Sequence, residues 1–508
     1  MTRPRSDRSL YFILGFALLA SYAYFYQGGG WNQNSRFALV RAMTEHNTLQ
    51  IDAYRQATGD RAVWNGHFYS DKAPGASLLA FVPVEAVRAL NIAVGLAPDS
   101  DAAITRTSYA ATVVVSGVFT VAAALAVLWL SLSWGYSRGA ALFAATAYAV
   151  ATPAWCYATL FMGHGVCAGC LMIAFAAAVA IGSAPPERTS GLAWAVGLFS
   201  GWAVVSEFPA AVPVLCICAL VLATLFSSGH HRGTWRRVVT RVAAGGAIAG
   251  AILLAYNTAA FGSPFHLGYA SEEGFEQLQT GLFGISRPEW WRLREILIGS
   301  YRGLLPVAPL VAVMPIGLAL LAAAGRKAPA LVAAAIAVFY LALNASYFYW
   351  EGGWAFGPRQ VTPALPFVAL GLAPLWDRWR TAGRGVLAAG WLWGAAVTLI
   401  AVSTTPQPPA SIMRPVTELM VPAFLEGHLS LNNQRFTDFR ADEDAIWRHA
   451  DPTVSWNLGM PMGLTGRASL APLGIVWLVC GAWLVWLARL SGGAAGQQTT
   501  GHGPGSRS

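Results

Sequence analysis

The stretch NGHFYSDKAPGASLL (65–79) places an acid and a base, Asp71 and Lys72, just before Pro74-Gly75 and a long apolar run. Pro is favoured in the first turn of a helix, and a helix N-terminus offers free N–H groups and a partial positive charge. A Lys ammonium at that point builds an anion site at membrane depth, where a lipid phosphate is the natural anion. A helix cap that meets lipid headgroups accounts for the pair equally well. Upstream, Asp52 in TLQID and Asp60 in TGDR join Asp71 as carboxylates that can act as a general base.

A second cluster is YFYWEGGWAFGPRQVTP (347–363), with Arg359 beside Pro358 and Glu351 flanked by Trp350 and Trp354. The planar fork of Arg suits phosphate because it binds two oxygens at once. An interfacial aromatic belt with a helix cap is the plainer reading. The pairs Gly352-Gly353 and Gly357-Pro358 favour a shaped backbone instead. Glu207 in SEFP, His164 near the end of an apolar run, and Tyr269 with His266, Glu272 and Glu273 in FGSPFHLGYASEEGF are further candidates. Ionisable groups at membrane depth are functional suspects, although a single buried His is more often a packed one. RPEWWRLREILIGSYRGLLP (287–306) reads as an amphipathic surface helix anchored by Trp290 and Trp291, with Arg302 near the following span. The acidic run Asp442, Glu443, Asp444 reads as a solvated patch. Cys167-x-x-Cys170 below His164 mimics a metal or redox motif, but it lies along an apolar helix, where cysteine is small filler.

These residues need elements to hold them, and the composition says which. Of 508 residues, 56% are hydrophobic and only 11% charged, against about a quarter charged in soluble domains. Apolar runs such as 106–130, 157–182 and 237–260 match the thickness of a bilayer. The chain is an all-α polytopic membrane protein. Its net charge of +9 is spread over loops, which argues for membrane orientation and against nucleic-acid binding. Arg3, Arg5 and Arg8 precede the run Leu10–Phe25, which reads as an uncleaved first helix, although Ala20-Ser-Tyr-Ala23 resembles a cleavage site.

Loop charges set the topology. The most basic short loop, HHRGTWRR (230–237), falls on the cytoplasmic side only if residues 76–96 do not cross. Ser77, Glu85, Arg88 and Asn91 give that segment a polar stripe, as an interfacial helix requires. About twelve spans remain, near 9–26, 106–130, 139–155, 157–182, 190–206, 208–227, 237–260, 303–323, 329–349, 363–376, 385–404 and 469–488. The resulting order is a first helix (1–26), an external loop (27–105), helices (106–260), an external loop (261–302), helices (303–404), an external loop (405–468), a last helix (469–490) and a disordered tail (491–508). Both termini are then cytoplasmic, in an inner or cytoplasmic membrane, and most polar groups gather on the external face. No internal repeat of the transporter kind is visible.

This order, with carboxylates in a long loop that ends Lys72-Ala73-Pro74-Gly75, resembles the polyprenyl-phosphate-dependent glycosyltransferases of the GT-C fold, such as protein O-mannosyltransferases and aminoarabinose lipid A transferases. Their loop typically ends in a Lys-Pro-Pro run. The forms NG-x-x-YS-x-KAPG, WEGGWAFGPR and YNTAAFGSPFHLGY are more similar to a bacterial side branch. The resemblance implies transfer of a sugar from a polyprenyl-phosphate donor to an unknown acceptor (glycan, lipid or protein) at the external face. A loop carboxylate is then the base, with Asp52 first and Asp60 and Asp71 as alternatives. Lys72 and Arg359 hold the donor phosphate, and His164, Glu207, Tyr269, Glu351, Trp354 and Arg302 line the cavity. No metal and no cofactor beyond the donor are expected. The family's acidic residue after the first span is absent: WNQNSRF has Asn32 and Asn34 there, and Asn is no base. A lipid flippase or an inactive accessory protein are the competing readings.

Overall fold

The computed structural model describes residues 5–438 and 451–489. The acidic run 442–444 and the tail from 491 lie outside them. The described chain is helical except for two pairs of short strands. Nine of its helices are long and apolar enough to cross a membrane, with shorter apolar helices at Arg8–Ala23 and Met314–Ala323.

The difference from about twelve spans has a chemical origin. The expected spans 139–155, 303–323 and 363–376 are present as broken helices. The first stops at Val150 and resumes at Ala154 across Thr152-Pro153. The second is cut into Leu304–Val307, Pro309–Ala312 and Met314–Ala323. The third is cut into Arg359–Ala364, Leu365–Ala369 and Leu372–Arg378. Most of these breaks fall at or beside proline, which lacks the N–H that the helical ladder needs, while the one at Leu370-Gly371 lies where the Gly317 backbone packs directly on Gly371. Longer helices close against one another through small residues. In Pro186–Ser206 a Cβ at Gly197 would overlap Val242 O of Arg232–Phe261, so that pair packs backbone to backbone.

The helix Gly75–Ala93 is long and apolar enough to span, so length and composition do not set it apart. The two ends of its polar stripe face protein, while Glu85 and Arg88 between them pair with each other and stay partly exposed. Ser77 Oγ donates to Arg36 O at 2.9 Å, and Asn91 Oδ1 accepts from Arg106 Nη1 at 3.3 Å. Val82 and Leu90 point outward, 70% and 60% exposed. Its first residue packs on Ser206, where a Cβ at Gly75 would overlap. Its last turns lie against the start of Asp101–Ser133. That 33-residue helix is about 50 Å long at 1.5 Å per residue, so it overshoots a hydrocarbon core of about 30 Å.

The bundle has two unlike ends. At one, Ser137 donates to Asp377 from both its N–H (2.8 Å) and its Oγ (2.6 Å), His230 Nε2 lies 3.2 Å from Ile181 O, and Arg138 donates to Leu487 O at 3.1 Å. The basic turns gather here. At the other end, Phe25-Tyr26 pairs antiparallel with Trp456-Asn457, and the polar helix Trp31–His46 is packed inside the protein. The expected surface helix is shorter than 287–306, covering Trp290–Ile298, with Trp290 79% exposed.

Candidate functional site

Local turn chemistry delivers Asp71 and Lys72. Asn65 and Gly66 both take positive φ (50° and 81°), the conformation of a tight hairpin turn, and strands Ala62–Trp64 and His67–Tyr69 pair across it. The chain leaves the hairpin through Ser70 and is held beside Trp31–His46, where Ser35 Oγ lies 2.9 Å from Ser70 Oγ and 3.2 Å from Asp71 Oδ1. Lys72 Nζ then sits 2.5 Å from Asp71 Oδ2 and 2.9 Å from Asp60 Oδ2. Burial works against the ammonium, but Asp60 and Asp71 outweigh it and hold the amine well above its usual value. Burial likewise raises the Asp71 carboxyl, with Lys72 pulling it back. The loop 261–285 closes over this group. Gly268 lies so close to the Asp71 backbone that a Cβ would overlap it, and Lys72 Nζ is 5.6 Å from the centre of the Tyr269 ring. Glu272 joins from the same loop. Its carboxyl is pushed up to about 8 by burial and then by Asp71.

A second charged group adjoins the first. Arg36, 1% exposed, donates Nη2 to Glu207 Oε1 at 3.0 Å, Nη1 to Ala73 O at 2.8 Å and Nε to Asn32 Oδ1 at 3.1 Å. Its reach to Ala73 ties Glu207 to the lysine loop. His164 Nδ1 is 3.6 Å from Glu207 Oε1. Phe208 packs edge-on against Tyr269 at 5.8 Å, so Tyr269 lies between the two groups. Arg36 is not among the candidates expected from the sequence. A cation in the polar run WNQNSRF directly after a membrane helix was the available signal. Asn34 is structural, donating Nδ2 to Ala57 O at 2.6 Å and Arg435 O at 3.0 Å.

The third part is the turn before Arg359. Arg302 is buried and donates to Gly353 O at 2.7 Å, Glu351 O at 3.2 Å and Tyr301 O at 3.2 Å. It shapes this turn, and the partly buried Trp354 lies on the same turn. The Glu351 carboxylate is in electrostatic reach of Arg302 and Tyr349. Gly352 at φ 71° lets Arg359 lie flat, since a Cβ there would meet its Cγ, Cδ and Nε. Arg359 makes no ion pair or hydrogen bond among the described residues, and its buried Nε has no partner. Tyr347 and Tyr349 are in electrostatic reach of Arg359, Lys72 and Asp60 alike. Lys72 and Arg359 thus act electrostatically on the same two tyrosines.

Asp52 is not brought to this group. It starts the short helix Asp52–Ala57, accepts from Phe68 N–H at 2.6 Å and lies 2.7 Å from His67 Nδ1. The hairpin turn captures it locally. It lines a separate polar cleft of about 890 Å³ with Arg41, Glu45 and Arg88. Cys167 and Cys170 are buried in Gly163–Ile181, and no cluster of three or more metal-ligating side chains occurs among the described residues.

No family model and no curated protein matches this chain. Among solved structures, ArnT from Cupriavidus metallidurans in the apo state is similar, with a TM-score of 0.50 and 16% identity, over 95% of this chain and 76% of that one. ArnT from the same organism bound to undecaprenyl phosphate is similar with a TM-score of 0.52 and 16% identity, over 97% and 79%. At this identity the likeness is one of fold. The chain has the GT-C architecture of a polytopic membrane protein over nearly its whole length.

Proposed function

We propose that this chain is a glycosyltransferase that moves a sugar from a polyprenyl-phosphate-linked donor to an acceptor at the external face of the membrane. Arg359 carries the reading: a cation at membrane depth with no carboxylate partner among the described residues. Its guanidinium lies 6.0 Å from the centre of the Tyr349 ring, and Tyr347 and Tyr349 are in electrostatic reach of both Arg359 and Lys72, in a fold of which one solved structure, ArnT, is bound to undecaprenyl phosphate. Lys72 is outnumbered by Asp60 and Asp71, so Arg359 is the cation left for an anion, with Lys72 as second contact. When the glycosidic carbon–oxygen bond to phosphate breaks, charge develops on the leaving oxygen, and fixed cations in a water-poor site stabilise it. Asp60 and Asp71 keep Lys72 charged and in place. Charge stabilisation of this kind calls for no metal.

Charge placement supports the external face for this site. Arg138 bonds to Leu487 O at the basic end, while Tyr24 Oη donates to Ser469 O at the site end. The first and last helices thus both point their termini toward the basic turns, which the positive-inside rule assigns to the cytoplasm. The test is binding of undecaprenyl phosphate to the purified full chain, followed by transfer from labelled polyprenyl-phosphate sugars. Arg359→Ala should weaken binding by about 10- to 100-fold, as expected for loss of a charge-assisted bond of roughly 1.5–3 kcal/mol. Absence of binding by the unaltered chain sinks the reading.

A further inference from the structure

We propose that His164 and Glu207 form the acid–base pair of this site, with the His164 imidazole taking the proton of the acceptor. The inference rests on the glycosyltransferase reading and supplies the base that reading lacks. The loop carboxylates expected in that role are engaged elsewhere. Asp60 and Asp71 both hold Lys72, and Asp52 is bound to the hairpin.

His164 is differently placed. It sits in the first turn of Gly163–Ile181, with Nδ1 directed at Glu207 Oε1 (3.6 Å), and its ring stands edge-on to Tyr157 at 5.7 Å. Among the described residues neither ring nitrogen makes a hydrogen bond within the protein, and neither is a fully enclosed atom lacking a partner, so both ring nitrogens keep some accessibility although the residue is only 8% exposed. With Nδ1–H toward the carboxylate, Nε2 carries the lone pair and has no hydrogen-bond partner within the described residues. Glu207 is itself fixed. It caps the break between Pro186–Ser206 and the turn Phe208–Ala210, and Arg36 grips Oε1. Gly163 makes room for it, since a Cβ at 163 would overlap Glu207 Oε1 and Ser206 O. The charged groups facing His164 are Glu207, Arg359, Arg36 and Lys72. The proposed phosphate ligands are thus within electrostatic reach of the base.

The step balances. The acceptor oxygen bonds to the anomeric carbon as the bond from that carbon to the phosphate oxygen breaks. The electron pair leaves with the phosphate, met by Arg359 and Lys72, and the acceptor proton passes to His164 Nε2. The imidazolium that forms is stabilised by Glu207. Attack opposite the leaving group inverts the anomeric centre.

The test compares the full chain with His164→Asn, His164→Gln, Glu207→Gln and Asp60→Asn in membranes. Transfer or release of labelled sugar is followed from undecaprenyl-phosphate-linked mannose, glucose and aminoarabinose between pH 3.5 and 9, and undecaprenyl phosphate binding is measured in parallel. Both His164 variants should lower turnover at least ~100-fold, in the range of general-base contributions, with binding changed less than about threefold. The fall in rate on the acid side should vanish in their residual activity and persist in Asp60→Asn. Thermal midpoints check that the His164 variants are folded, the Gln variant being closest in shape. Turnover near that of the unaltered chain in His164→Gln, or an acid limb that disappears in Asp60→Asn alone, overturns the pair while the glycosyltransferase reading stands. An unaltered chain that neither binds undecaprenyl phosphate nor turns over any donor overturns both.

Discussion

Replacing Lys72 by Met would leave two buried carboxylates facing each other with no cation between them. Asp71 is fully buried, and the ammonium lies 2.5 Å and 2.9 Å from the two acids. At an effective dielectric constant of about 20, unit charges at these separations attract by roughly 6 kcal/mol each before desolvation. Desolvation of the ammonium cancels much of this, and removing one partner from a buried ion pair costs about 3–5 kcal/mol net. For a chain of this size that loss lowers the unfolding midpoint by on the order of 5 °C. The assay is thermal unfolding of detergent-solubilised protein, read by intrinsic Trp fluorescence. The sharper comparison is Lys72→Met combined with Asp60→Asn and Asp71→Asn. It removes all three charges and keeps the shapes, so most of the stability should return. If Lys72→Met unfolds with the unaltered chain, or the triple variant is no better than the single, the triad is not a buried charge cluster and the account of Lys72 fails.

Glu272 gives a pH dependence. A carboxyl raised from the usual 4.5 to about 8 stabilises the folded state fully below the lower value, and the contribution is lost as pH rises through the higher one. Hydrogen exchange in 268–275 should therefore quicken from about pH 5 to beyond pH 8 by more than the intrinsic rate increase, and Glu272→Gln should flatten that excess. Gly163→Ala pushes a methyl into Glu207 Oε1 and Ser206 O. It should abolish sugar transfer and destabilise the chain by about 1–3 kcal/mol, as overpacking does, measured by activity and thermal midpoint together. Asp52→Asn should leave undecaprenyl phosphate binding and turnover within about threefold, with a loss on the order of 1 kcal/mol from the weakened bonds to Phe68 N–H and His67. A large loss of turnover with binding intact would return Asp52 to the site.

The amino-acid sequence by itself determined what is local or periodic. Apolar runs made the chain a helical membrane protein, because a bilayer core admits only segments whose backbone bonds close internally. Asn65-Gly66 specified the hairpin, and prolines at 153, 309, 363 and 366 specified the broken helices. Loop charges separated a basic end from a polar one, and the candidates Lys72, Asp60, Asp71, His164, Glu207, Tyr269 and Arg359 do gather at that polar end. Tertiary structure decided who pairs with whom. Lys72 meets Asp60 only because the hairpin folds back, and Arg36 meets Glu207 across 171 positions. The family resemblance implied Arg302 as a cavity residue, yet it spends its donors on the carbonyls of the 351–353 turn. Asp52, chosen first as base, satisfies an N–H beside it instead. A side chain's type limits the bonds it can make, but its partners depend on where distant segments return, and no spacing along the chain encodes that.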